Sequence, residues 1–183
     1  SRHWIACSSC LGAASSFGVD DAGDRRISIL AIHDAAGSYG VASVQQDPAL
    51  IRQQAAATVM AAIANAGRDA ELPALIWCMQ APGFEEQIIT GIQQVVGDQV
   101  PILGGSAADD DVSGQWNQFD GITLGQHLLV IAVLYPSVAI SSYFSSGYSD
   151  GNIKGIVTAV QGRRILEIDQ QPALQVYNRW LDQ

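Results

Sequence analysis

Residues 73–103 carry the pattern that most narrows the fold. Residues 73–79 read Pro-Ala-Leu-Ile-Trp-Cys-Met, an apolar run of strand length. Residues 82–96 follow with Phe84, Ile88, Ile92, Val95 and Val96 at helical spacing, and Gly97 stops them. Residues 100–103 are apolar and extended again. Two neighbouring strands joined through a helix pair in parallel, because the crossover returns the chain to the same end of the sheet. The crossover is expected to be right-handed.

A second helix is predicted over residues 47–66. Asp47 is a suitable N-cap, Pro48 fits the first helical position and Gly67 is the stop. Ile51, Ala55, Val59, Ala62, Ile63 and Ala66 share one face, and the alanines allow close approach to a sheet. Strands are predicted at 4–7 (buried), 27–32 and 39–44, with a Gly/Ser/Ala-rich loop reaching Arg26.

After a loop over 104–114 the character changes. Strands are predicted at 127–135 and 138–143, turned at Pro136-Ser137. A hairpin over 153–160 and 163–168 is turned at Gln161-Gly162. A closing helix over 172–181 is expected to bury Leu174, Tyr177 and Leu181. The predicted class is mixed α/β (α+β): βα units, pseudo-repeated, packed with an antiparallel C-terminal section in a layered sandwich.

The 183 residues are 48% hydrophobic and 15% charged, enough apolar material for a sizeable core. A net charge of -9 repels phosphate backbones and anionic lipid, which argues against nucleic-acid and membrane partners. The longest apolar run, 128–135, is too short for a membrane-spanning helix. The odd cysteine count (Cys7, Cys10, Cys78) fits a reducing cytoplasm better than a disulfide framework.

Ile5-Ala6-Cys7-Ser8-Ser9-Cys10 is similar to Leu103-Gly104-Gly105-Ser106-Ala107-Ala108. Each runs a strand into a turn of small residues and is followed by an apolar stretch, 27–32 or 128–134. The second copy is preceded by a strand and a helix, so the first is expected to lack such a unit ahead of Ser1.

The same residues resemble the FIST domain family. Residues 100–109, Val-Pro-Ile-Leu-Gly-Gly-Ser-Ala-Ala-Asp, look like its "vPvlGGsAgD" motif. Ala6-Cys7-Ser8-Ser9 looks like its "GCSTaGE" motif, with Ala6 for Gly and Cys10-Leu11-Gly12 for Ala-Gly-Glu. Residues 157–174 are similar to "vTea.gn.i.eLdg.pAl". The resemblance covers almost the whole chain and implies a non-enzymatic FIST N-type sensory domain over 1–183, shortened at its N-terminus, with a FIST C-type region to follow. It implies ligand sensing alongside a histidine kinase, a cyclic-dinucleotide enzyme or a chemoreceptor. Some members are haem-binding nitric-oxide sensors, and others are thought to bind metabolites such as amino acids.

The expected ligand site lies between the two small-residue turns: Cys7, Ser8 and Ser9 on one side, Gly104, Gly105, Ser106, Ala107 and Asp109 on the other. Small residues expose backbone N–H groups, and the hydroxyls can hold a carboxylate. Tight packing turns would need the same residues. A haem would need an axial imidazole, for which His33 and His127 are candidates, each also readable as a strand-end residue. A serine hydrolase would need Ser106 as nucleophile, but the G-x-S-x-G spacing is broken at Ala108. Cys7-x-x-Cys10 lacks a second pair for zinc and a convincing helix after it for redox work. Asp109-Asp110-Asp111 reads as a solvated acidic loop. Trp77, Trp116, Phe119, Tyr143 and Tyr148 are candidate pocket walls or plain core.

Overall fold

Leu-Leu-Val-Ile-Ala-Val-Leu-Tyr, residues Leu128–Tyr135, forms strand β9 with no polar position. Such a strand needs partners on both edges and cover on both faces. In the computed structural model, which describes residues 3–10, 12–15, 18–20, 27–145, 148–149 and 151–181, it has both. The chain divides into two compact units, Ser1–Ser142 and Tyr143–Gln183.

In the first unit, β4 (Ser38–Gln45) runs antiparallel to β9 from Ser38 opposite Tyr135 to Gln45 opposite Leu128. On the other edge β5 (Leu75–Gln80) pairs antiparallel, Leu75 opposite Leu134 and Met79 opposite Val130. Strand β6 (Ile102–Ser106) lies parallel beside β5. The order is β4-β9-β5-β6. The parallel pair bridged by helix α2 (Glu85–Val96) is as expected. Strand β9 is not: it sits inside this sheet rather than in a separate antiparallel section.

Helices α1 (Ile51–Asn65) and α2 cover one sheet face. Ile51, Ala55, Val59, Ala62 and Ile63 meet Ile88, Ile92 and Val96 above Ile76, Cys78, Leu129, Ile131 and Val133. Phe84 and Val95 are partly buried against this core. Glycines set the spacing. A Cβ at Gly91 would lie 2.3 Å from the Arg52 carbonyl oxygen, and one at Gly40 2.1 Å from that of Ala62. Helix α1 begins four residues later than Asp47. The Asp47 carbonyl and carboxylate accept the N–H groups of Leu50 (3.0 Å) and Ala49 (2.9 Å), so Pro48 lies in a turn before the helix. Gln54 ties that turn to the end of β4 through Asp47 N–H (2.8 Å) and the Gln45 carbonyl (2.9 Å).

The other sheet face buries Met79, Leu128 and Val130 with Ile5 and Val41 packed against them. A small sheet of β1 (Ala6–Cys7), β7 (Gln118–Phe119) and β8 (Leu124–Gly125) belongs to the same unit. Cys7 is opposite Gln118 and Ala6 opposite Phe119. Strands β2 (Ala13–Ser15) and β3 (Gly18–Asp20) form a separate antiparallel pair. The loop expected up to Arg26 falls partly outside the described residues, as does Leu11.

Three strand expectations are corrected. Residues 4–7 supply only two strand residues, both exposed, because their partner is the short β7 rather than the main sheet. Residues 27–32 form no strand, and Ile27, Ile29, Leu30 and Ile32 are 60% to 86% exposed. No strand among the described residues pairs with this apolar run. Residues 138–143 form no strand either. The Ser137 N–H and Oγ–H both donate to Asp34 (2.7 and 2.6 Å), which turns the chain aside after Pro136.

In the second unit, β10 (Val157–Gln161) pairs antiparallel with β11 (Arg164–Ile168), and β12 (Gln171–Pro172) pairs with β11. The hairpin turn is Gly162-Arg163, one residue later than expected, with Gly162 at φ +57°. Asp169 exchanges hydrogen bonds with Ile156: its N–H donates to the Ile156 carbonyl (2.8 Å) and its carboxylate accepts the Ile156 N–H (2.9 Å). Helix α3 (Ala173–Leu181) buries Val176, while Leu174, Tyr177 and Leu181 are 70%, 54% and 66% exposed. The inward face is Ala173, Val176 and Trp180, so the expected face is reversed. The packing against β11 and β12 selects the side flanking Val176 rather than the more apolar stripe.

Gly40→Val tests the tight seat of α1 on β4. Urea unfolding should show a loss of about 1–3 kcal/mol. An unchanged midpoint would mean that α1 lifts freely from the strand.

Candidate functional site

Strands β4, β5 and β6 run the same way and β9 runs against them. The ends Gln45, Gln80 and Ser106 therefore lie with the start of β9 at Leu128. This is the carboxyl end of the parallel strands, where open α/β sheets place ligands. His127 precedes β9 and stands at this end. His33 precedes β4 and stands at the opposite end.

The β6 turn is shaped by Gly104. Its φ is +125°, and a Cβ there would lie 1.9 Å from the Cys78 carbonyl oxygen. Gly105 meets no such obstacle. Ser106 Oγ–H donates to Glu85 Oε1 (2.6 Å) and accepts from Gln80 Nε2 (3.3 Å). Gln80 Oε1 accepts from the Cys78 thiol (3.1 Å). Burial pushes that thiol up to about 12, so Cys78 stays a neutral donor. Glu85, the first residue of α2, also accepts the Gly83 N–H at 3.1 Å on both oxygens.

The two small-residue turns touch. Ala107 N–H continues the pairing onto the Gln80 carbonyl (2.8 Å), and Ala108 N–H donates to the Ser8 carbonyl (3.1 Å). Ser8 also exchanges bonds with Asn117: its N–H donates to the Asn117 carbonyl (2.9 Å), and its Oγ accepts the Asn117 N–H (2.9 Å). Ser9 Oγ–H turns locally to the Gly12 carbonyl (3.0 Å). Asp109 accepts the Gln115 N–H (2.8 Å) and Ser113 Oγ–H (3.2 Å). The bond from Gln115 leads in lowering its pKa. Asp109 thus braces the loop that delivers Trp116. Cys7 and Cys10 are exposed. Partial desolvation pushes the Cys7 thiol up, the opposite of a redox-active thiolate. Among the described residues no three His, Cys, Asp or Glu side chains gather in a metal-binding group.

Sequence reasoning missed Gln46 and Gln118. Gln118 is fully buried, and its Oε1 accepts the Leu128 N–H (2.9 Å). Its Nε2, with Gln46 Nε2 and Trp116 Nε1, is buried without an acceptor among the described residues. A buried unpaired donor costs about 1–3 kcal/mol. No periodicity marks a glutamine for burial in a two-residue strand. Trp116, one of the candidate aromatics, stands edge-on to His127 with ring centroids 6.3 Å apart. Phe119 is partly buried, and Trp77 is 36% exposed. Tyr143 and Tyr148 belong to the second unit and are exposed.

Two hollows lie elsewhere in the first unit. One, about 410 Å³, is bordered by His3, Trp4, Val41, Asn65, Asp120 and Ile122. The other, about 270 Å³, is bordered by His33, Asp34, Tyr39, Leu134, Pro136 and Val138. Neither is lined by Ser8 or by the Gly104–Ser106 turn. In the second hollow Asp34 accepts hydrogen bonds from Ser137, Tyr39 Oη–H (2.9 Å) and Gly37 N–H (2.9 Å). Those bonds, Ser137 foremost, hold its carboxyl well below the usual carboxylate range.

Fold and site define a mixed α+β domain with its polar turns gathered at one end of an open sheet. The FIST N domain profile matches residues 1–171, and the chain belongs to that family of sensory domains in signal transduction. It is also 31% identical over 87 residues to the uncharacterized protein MJ1623 of Methanocaldococcus jannaschii. That match covers 46% of this chain and 16% of the archaeal protein, so the chain spans a minor part of that relative. No helix among the described residues is long and apolar enough to cross a membrane.

Two predictions follow from these contacts. Gly104→Ala should cost at least about 2 kcal/mol in urea, and Gly105→Ala under about 0.5 kcal/mol. Equal losses would refute the close approach at Cys78. The depressed pKa of Asp34 contributes stability present above the ordinary carboxylate pKa of about 4 and lost as pH falls below it. Asp34→Ala should therefore lower the Tm at pH ~7, with a loss that shrinks progressively as pH falls below ~4 and is clearly smaller near pH ~2. An equal drop at pH ~7 and pH ~2 would contradict this.

Proposed function

We propose that this chain is a non-enzymatic, cytoplasmic sensory domain. It binds a small metabolite, such as an amino acid, at the Cys7-Ser8-Ser9 and Gly104–Asp109 turns. The observation that carries this reading is the Ala108 N–H to Ser8 carbonyl bond, which joins the small sheet to the main sheet at its ligand-favoured end. A ligand offering its own acceptor to Ala108 competes for that bond. Its binding free energy then biases the packing of β1–β7 against β6. A histidine kinase, cyclic-dinucleotide enzyme or chemoreceptor would read the shift.

The Ser106 hydroxyl donates a hydrogen bond to Glu85 and accepts one from Gln80, with no histidine among these partners, which supports a structural or ligand-contacting serine. A haem-based nitric-oxide sensor is the second reading, favoured by the apolar surroundings of His33, with His127 as the other candidate ligand. At about 270 Å³ the hollow beside His33 lies below the range of roughly 300–1,000 Å³ common for drug-sized ligands. As folded it does not fit a porphyrin.

A thermal-shift screen of amino acids and small carboxylates tests the first reading. A ligand at 100 times its Kd should raise the Tm by about 5–10 °C, and Ser8→Ala and Ser106→Ala should each reduce the rise. A rise untouched in both variants would place the ligand elsewhere. A stoichiometric Soret band on haem addition, shifting with nitric oxide and lost in His33→Ala or His127→Ala, would favour the second reading instead.

A further inference from the structure

Trp116 and Gln118 flank Asn117, whose N–H and carbonyl are both held by Ser8. Both reach the start of β9: Trp116 meets the His127 ring, and Gln118 holds the Leu128 N–H. Gln46 arrives at the same place from β4, its N–H on the His127 carbonyl (2.7 Å). Each side chain carries a buried N–H that no acceptor among the described residues takes up. All three groups are neutral donors. None of the contacts described for them involves Lys or Arg, and the chain as a whole carries a charge of -9. Such a set suits a single carbonyl-type oxygen group and is poorly matched to phosphate.

We infer that Trp116, Gln118 and Gln46 form a subsite for the carboxylate or carboxamide of a small ligand, beside the joined turns. The inference rests on the sensory reading above and adds the chemistry of the recognised group. Asn117 links the subsite to Ser8, and Ser8 to Ala108, so occupancy at Trp116 is felt at the contact between the turns.

The test is amide-proton NMR of the whole chain titrated with sodium acetate, with acetamide, and with sodium chloride at matched ionic strength. Saturable shifts of the Trp116 indole N–H and Gln118 side-chain amide with acetate alone would identify a carboxylate subsite. The same shifts with acetamide would identify a carboxamide subsite. No saturable shift with either, or identical shifts with chloride, would overturn the inference. Gln118→Glu keeps an oxygen for the Leu128 N–H but replaces the free donor with an acceptor, and should weaken acetate binding at least about tenfold. If that variant does not fold, Trp116→Phe, which keeps a ring against His127 without the N–H, carries the test. Undiminished binding in the folded variant would also overturn it. A screened ligand that moves the Ser8 and Ala108 amides but leaves Trp116 and Gln118 unmoved removes this subsite and spares the sensory reading. Acetate binding here that leaves the Ser8 and Ala108 amides unmoved does the reverse.

Discussion

The first unit depends on the burial of β9. Its eight apolar residues offer no solvent-tolerant face, so they demand β4 and β5 on the edges, the α1–α2 layer on one side and Met79, Val41 and Ile5 on the other. Once β9 runs against β4, β5 and β6, the three parallel strand ends must collect at its start. The candidate site is thus a by-product of core topology. Gln45, Gln80, Ser106 and His127 are scattered in sequence and gathered by one strand that cannot face water.

At that end the polar groups sort by role. Cys78, Gln80, Ser106 and Glu85 form a chain of donors and acceptors with each link satisfied, which fixes the β6 turn against the start of α2. Asp109 and Ser8 hold loops through backbone groups. Among the described residues Gln46, Trp116 and Gln118 are the exceptions, each with a buried donor left over. Rigid surroundings with a few unspent donors suit recognition better than chemistry, in keeping with the sensory character of the family.

Much of this was legible in the sequence where periodicity or stop signals were strong. The crossover from β5 through α2 to β6, the apolar face of α1 and the β10–β11 hairpin follow from spacing, Gly67, Gly97 and Gly162. The two small-residue turns were expected to flank a ligand, and their direct contact through Ala108 and Ser8 was not read from the sequence. Apolar content without periodicity misled. Residues 27–32 and 128–135 look alike as strings, yet among the described residues only one finds partners, because strand formation depends on packing against neighbours and not on apolar content alone. Helix α3 failed similarly: Leu174, Tyr177 and Leu181 make the more apolar stripe, but the helix packs through Val176. Gln118 left no trace, since its burial depends on a contact with Leu128 across a turn.

Ser8 and its partner Asn117 are 109 residues apart. Chain emerges from the ribosome at roughly 5–20 residues per second. Ser8 therefore waits on the order of 5–20 seconds before its partner exists. During that interval the small sheet cannot close, and the main sheet cannot close either until β9 has followed, since β9 lies between β4 and β5. Contacts this distant in sequence form more slowly than local ones, so both sheets wait on the later part of the unit.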